Sequence, residues 1–221
     1  MRLLRLVYLV LGIGWPTNVR LWAITYEYWD PDIDVNDIRT ALEIRNIGAS
    51  FAIEADESEK KWSTLELANL SGDTLMQIER NPVVEGELGY EELEEFREEI
   101  ADCCPRTAVK WLLKFFDTVK VIYSFQLLNA ATDDSNFPIV EGVRTGIWNQ
   151  TRGILQADGE GFTNEAGYHI LWQFHDGVKG QWNMAVRNFF GQWVPFVMEL
   201  GDHQQRKEFL DGKIPKGAIR L

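Results

Sequence analysis

Apolar and polar positions alternate from Val19 to Trp29, fall into a helical period from Asp34 to Ile47, and then mark three short strand-like runs. Those runs are Ser50 to Ala55, Thr64 to Leu70 and Leu75 to Arg80, separated by polar or glycine-containing turns. The order returns from Val119, where Val119, Val121, Tyr123, Phe125 and Leu127 share one face of an alternating run that ends at Leu128. Phe137 to Gln150 is helical in period, and Ile154 to Ala157, Tyr168 to Phe174, Trp182 to Phe189 and Trp193 to Leu200 read as strands. A β-α-β-β-β order thus runs through the chain twice, from about Val19 to Pro82 and from about Val119 to Leu200. The expected fold is α+β and mostly antiparallel sheet, with two packed halves and a helical connector. The expected segments are an N-terminal extension at 1–18, a first α/β half at 19–84, an acidic connector at 85–118, and a second half with a C-terminal tail at 119–221.

Helix ends sharpen the pattern. Asp34 precedes the apolar stripe Val35, Ile38, Leu42 and Ile47 and is placed to cap it, and Gly48 is placed to end it. Asn136 and Pro138 mark the start of the second-half helix, whose stripe is Val140, Val143 and Ile147. Gly142 and Gly146 are weak helix formers there and point to a close approach to the sheet. In the connector, Tyr90, Leu93, Phe96, Ile100 and Cys103 or Cys104 recur at helical spacing, and Pro105 breaks the run. A second connector helix follows with Val109, Leu112, Leu113 and Phe116. The residues after Asp202 predict a short helix and a surface tail.

Composition narrows the possible functions. With 45% apolar residues in 221, the chain can bury a real core, and its nine Trp and twelve Phe are expected to fill cores and inter-sheet contacts, with a stacking platform for sugars or bases as the alternative. The formal charge is −12, and the stretch from Glu85 to Asp102 alone carries −8, with nine acidic residues against Arg97. Such a chain is repelled by phosphate backbones and has no basic aromatic stripe to offset that, so nucleic acid is excluded as the expected ligand. A basic protein surface is the expected partner, because complementary charge speeds association and selects against wrong partners. The candidate contact residues are Glu91, Glu92, Glu94, Glu95, Glu98 and Glu99, which cover the connector helix away from its apolar stripe.

The adjacent pair Cys103 and Cys104 can neither staple distant segments nor make a zinc site, and it fits a reducing compartment, with a cytoplasmic setting expected, or indifference to redox state. Arg2 and Arg5 precede an apolar run from Leu6 to Ile13 that is too short to span a bilayer. Three readings of that run stay open: an extra packed element or start-site extension, a signal peptide that would make the protein secreted, and an interfacial anchor.

Candidate chemistry is sparse. His169 and His175 lie about 20 Å apart if the strand between them is extended, too far to share a metal. A set of His175, Asp176 and His203 is conceivable through the polar turn at Asp202. The run from Asp158 to Glu165 places three carboxylates and two glycines in eight residues, a composition that suits a hairpin loop, a calcium site or a partner-contacting loop. Its spacing departs from the twelve-residue calcium loop. No nucleophile elbow, phosphate loop or dinucleotide fingerprint is present, and no metal or cofactor is expected.

The doubled element order resembles the vicinal oxygen chelate superfamily over about two thirds of the chain, and a ferredoxin-like pair describes it equally well. The first resemblance implies a cup between paired modules, with metal ligands on first and last strands. The corresponding positions here are Glu27, Glu79, Gln126 and Glu199, none of them the histidine usual in that superfamily. The sequence therefore leads to a non-enzymatic protein-binding module, an acidic inhibitor or immunity-type protein. Its alternative is a metal-dependent enzyme with a site between the halves.

Overall fold

In chain order, the elements are β1 (Arg20–Ile24), α1 (Val35–Ile44), β2 (Ser50–Ile53), β3 (Thr64–Ala68), β4 (Thr74–Pro82), α2 (Leu88–Ile100) and α3 (Arg106–Phe116). They continue with β5 (Val121–Leu127), α4 (Phe137–Thr151), β6 (Ile154–Ala157), β7 (Gly161–Thr163), β8 (Gln181–Arg187), β9 (Trp193–Glu199), α5 (His203–Leu210) and β10 (Ile219–Arg220). The structure, a computed structural model, describes the backbone of β1 and residues 33–151 and 153–221 in full. The apolar run at Leu6 to Ile13, the expected extension at 1–18 and Glu27 lie outside the described residues. The architecture is mixed helix and antiparallel sheet, as the periodicity implies, and no described helix is long and apolar enough to cross a membrane.

The chain divides into two compact units. One is built on a sheet in the order β2-β3-β4-β5-β1-β6. Its strands alternate as their sequence dictates. Leu65, Leu67, Met76, Ile78, Tyr123 and Phe125 are buried, whereas Gln77, Glu79, Ser124 and Gln126 stand half-buried on the opposite face. Trp62 packs on Tyr123 and donates its indole N–H to the Ile33 carbonyl at 2.7 Å. Helix α1 packs on α4, and α4 on β1.

Asp34 caps α1 as expected, its carboxylate accepting from the Asn36 N–H at 2.9 Å. The C-terminus differs from expectation. The helix ends at Ile44, and Asn46, with φ of 56°, takes the left-handed conformation assigned to Gly48. Gly48 is instead a packing position, where a Cβ would lie 2.6 Å from the Leu70 side chain. Gly142 likewise marks a close approach to α1, since a Cβ there would overlap the Leu42 side chain, and not an approach to the sheet.

The two strands that head the repeated order, β1 and β5, are antiparallel neighbours in this one sheet, with Leu21 opposite Phe125 and Ala23 opposite Tyr123. Each leads into a helix, α1 or α4, but the later strands are placed differently. The β2-β3-β4 meander joins β5 through its last strand, whereas β6, the first strand after α4, lies beside β1.

The other unit contains most of α2, all of α3, and the chain from Gln156 onward. Its three-stranded sheet has the order β10-β9-β8. The core gathers Trp172, Phe174, Met184, Val186, Phe196, Met198, Leu200 and Phe209. Asp202 caps α5 through the Gln204 and Gln205 N–H groups. The expected strand from Tyr168 to Phe174 is not a strand. Ile170, Leu171 and Trp172 are all buried in succession, and the backbone bonds change partner at nearly every step. His169 N–H donates to Asn183, Ile170 to Phe162, Trp172 to Cys104 and Gln173 to Glu160, so no ladder can propagate. The extended segment that does form nearby is β7, inside the run read as a loop.

Candidate functional site: the acidic helix

Helix α2 is fixed through one side only. Leu93, Phe96 and Ile100 are buried, and Phe96 packs against Phe116 and, edge-on at 5.7 Å, against Phe162. Tyr90, expected in this stripe, is exposed. Its place is taken by Gly89, where a Cβ would sit 2.6 Å from the carbonyl oxygens of Asn81 and Pro82. No side chain larger than hydrogen fits that approach to the end of β4. Just past the other end of α2, the Arg106 guanidinium bonds the carbonyls of Ala101 and Cys103 and so ties down the turn that leads to α3.

The one cation of α2, Arg97, is turned to the structural side. It donates to the Leu113 carbonyl at 3.3 Å, pairs with Asp117 at 2.9 Å and with Glu94 at 3.1 Å, and lies over the Phe116 ring. Of the outer glutamates it engages Glu94. Glu91, Glu94, Glu95, Glu98 and Glu99 are exposed. Glu92 is half-buried, its carboxylate accepting from the Ser124 hydroxyl at 3.3 Å and from the Asn81 amide at 3.4 Å.

The expected contact residues thus share one helix, with Glu92 engaged inward. The Asp158 carboxylate, from the glycine-rich run after β6, adds to the same field. Glu99 is held above the ordinary carboxylate range by partial burial, then by the charges of Asp158 and Glu95. The rest of that run disperses. Glu160 uses its carbonyl to hold His169, and Asn164 is buried with its side-chain oxygen accepting from the Ala166 and Tyr168 N–H groups.

The remaining candidates are not brought together. Asp176 pairs with Arg206 at 2.7 Å, His175 accepts from the Gly177 N–H, and His203 lies in the first turn of α5. Glu79 and Gln126 lie on adjacent strands, but Glu199 accepts from the N–H groups of Gly180 and Gly201 and so organises a turn. Among the described residues, no group of three or more His, Cys, Asp or Glu is arranged to hold a metal ion. Burial, Cys104 and the neighbouring carboxylates push the Cys103 thiol up, which leaves it a poor nucleophile at neutral pH.

One surface feature escaped the sequence pattern. Phe189 and Phe190 are 97% and 82% exposed at the tip of the β8–β9 hairpin, whereas aromatic residues were expected to fill cores. The available signal was Asn-Phe-Phe-Gly-Gln between two alternating runs, a turn whose central residues need not be apolar. No protein-family model, curated protein or solved structure matches the chain.

Proposed function

We propose that this is a non-enzymatic protein-binding module whose acidic helix caps a basic surface of a partner protein, as an inhibitor or immunity-type protein does. The carrying observation is that Glu91, Glu94, Glu95, Glu98 and Glu99 stand exposed on a helix already secured by Leu93, Phe96, Ile100 and Gly89. The glutamates do not build the fold. Like charges at three- and four-residue spacing cost a helix a few tenths of a kcal/mol per pair, on the order of 0.2–0.5. A basic partner would turn that repulsion into attraction and would be steered toward the face before contact. Two of the chemically versatile groups fit the same reading, since burial pushes the His169 pKa down to about 4 and pushes the Cys103 thiol up.

The test replaces Glu91, Glu94, Glu95 and Glu98 with Lys and follows thermal stability together with association. A partner recovered from native extract by the parent should have a basic contact surface. It should associate more slowly with the variant at low salt, with a weaker salt dependence, because exposed charges are screened over about 8 Å at physiological ionic strength. A folded variant that captures the same protein at the parental rate would remove the acidic face from recognition.

A further inference from the structure

The β8–β9 hairpin ends in a three-residue loop that is ordered by its own chemistry. The Asn188 N–H donates to the Gln192 carbonyl at 2.9 Å, the Gly191 N–H to the Asn188 carbonyl at 3.0 Å, and the Gln192 N–H to the Asn188 side chain at 2.9 Å. Gly191, with φ of 78°, supplies the left-handed residue that closes such a loop. The Arg187 Nε donates to the Gly191 carbonyl at 2.9 Å and its guanidinium lies over the Trp193 ring, which fixes the base of the tip.

What this loop holds up to solvent is apolar. The Phe189 and Phe190 rings meet edge to face at 5.7 Å and touch little else. Nothing in a turn of this kind requires aromatic side chains, and exposing two of them costs the free protein solubility. Below them, Trp193 meets Trp111 of α3 edge-on at 5.1 Å, both rings half-buried. Exposed Lys110 and Lys114 lie one and three residues from Trp111.

The two segments that carry these aromatic residues are cationic, opposite in sign to the whole protein. Helix α3 carries Arg106, Lys110 and Lys114 and no carboxylate, and residues 182–198 carry Arg187 and no carboxylate. In a chain of net charge −12, these two segments set basic side chains beside the exposed aromatic tip. Phenylalanine above a collar of tryptophan and basic residues is the arrangement that the boundary of a bilayer rewards. Apolar rings enter the acyl edge, indoles sit at headgroup depth, and cations meet anionic headgroups. Charges farther than about a Debye length, roughly 8 Å, are screened, so the charges nearest the tip weigh most in the contact.

We propose that the Phe189–Phe190 hairpin tip inserts into the interface of an anionic membrane, with Trp193, Trp111, Arg187, Lys110 and Lys114 as its headgroup collar. The binding is peripheral and reversible, since two rings bury far less apolar area than a spanning helix.

The test is sedimentation of the full chain with phosphatidylcholine vesicles containing about one third phosphatidylserine, and with pure phosphatidylcholine vesicles. The parent should co-sediment with the anionic vesicles and much less with the neutral ones. Phe189→Ser with Phe190→Ser should reduce partitioning about tenfold or more. Lys110→Gln with Lys114→Gln should reduce it about fivefold per charge removed, and only on anionic vesicles. Because the phenylalanines are exposed, the double Ser variant should melt with the parent, and that control separates loss of the tip from loss of the fold. Failure of the parent to bind anionic vesicles would overturn the proposal, as would undiminished binding by the folded double Ser variant. Loss of a soluble protein partner on the Ser substitutions, without vesicle binding by the parent, would assign the tip to protein docking and overturn it equally.

Discussion

His169 Nε2 lies 2.9 Å from the backbone carbonyl of Glu160, so that nitrogen must carry the ring proton, and Nδ1 accepts from the Thr163 hydroxyl at 3.4 Å. The ring is 2% exposed, lies 4.7 Å from Phe174 and meets Trp182 edge-on. Burial pushes its pKa down from 6.5 to about 4, with the Glu160 carbonyl opposing that shift. An unfolded chain takes up a proton near pH 6.5, whereas the folded one resists until about pH 4. Stability from this site is therefore full above about pH 6.5 and falls as the pH is lowered toward 4, by on the order of 3 kcal/mol in total. His169→Gln keeps an amide donor for the Glu160 carbonyl but cannot titrate. In urea unfolding at pH 7.5 and pH 5, the parent should lose more stability than the Gln variant, and equal losses would show that His169 is not buried neutral.

Gly89→Ala sets two effects against each other. Alanine is the better helix former by about 1 kcal/mol. At this position, however, its Cβ would meet two backbone carbonyl oxygens at 2.6 Å, and backbone cannot swing aside as a side-chain tip can. Overpacking of that kind costs about 1–3 kcal/mol, so the variant should be destabilised despite its propensity. A raised melting temperature would mean that the end of α2 does not approach β4 as closely as described.

How much of this was legible in the sequence depends on whether a single period governed the segment. The helix α4 and the strands β5, β6, β8 and β9 keep a recognisable 3.6- or 2-residue period, so they show through within a residue or two, whereas α1 starts where its period does and stops three residues early, at Ile44. Tyr168 to Phe174 is surrounded on several sides, and its consecutive buried residues imitate a buried strand while its backbone N–H groups go to three different segments, at Glu160 and Phe162, at Cys104 and at Asn183. The place of each strand in a sheet was not legible. The repeated order of elements does not encode whether β4 or β6 lies beside a given partner, because neighbours in a sheet are chosen by packing between distant segments. The acidic face was readable because a surface helix separates charge from apolar residues so cleanly. The inward turn of Glu92 was not, since it depends on Asn81 and Ser124, which are distant in sequence.

Phe209 tests the second core. It is fully buried on α5 and packs on Phe196 and Trp172. Phe209→Ala should cost about 3–5 kcal/mol, the range for removing a large buried ring without collapse of the cavity. A loss below about 1 kcal/mol in equilibrium unfolding would show that α5 contributes little to that core.

Glu99 separates the cost of the acidic face from its purpose. Its carboxylate is raised above the usual range because partial burial and the neighbouring Asp158 and Glu95 disfavour its charge. An acid whose folded pKa is raised binds its proton more tightly in the folded state. Folding therefore gains from that proton below the unfolded pKa of about 4.5, and the gain is lost as pH rises through the folded value. At neutral pH the charged side chain is a net burden, which solvent screening at this partly exposed position keeps small. Glu99→Gln keeps the size and removes the charge, so its thermal stability at pH 7 should equal or slightly exceed that of the parent. Its advantage should shrink as the pH falls toward 4.5. If the face serves a basic partner, the same variant should associate more slowly despite its better stability, a divergence that a merely solubilising glutamate would not produce. Lower stability at pH 7 would instead show that Glu99 makes a favourable contact within the fold.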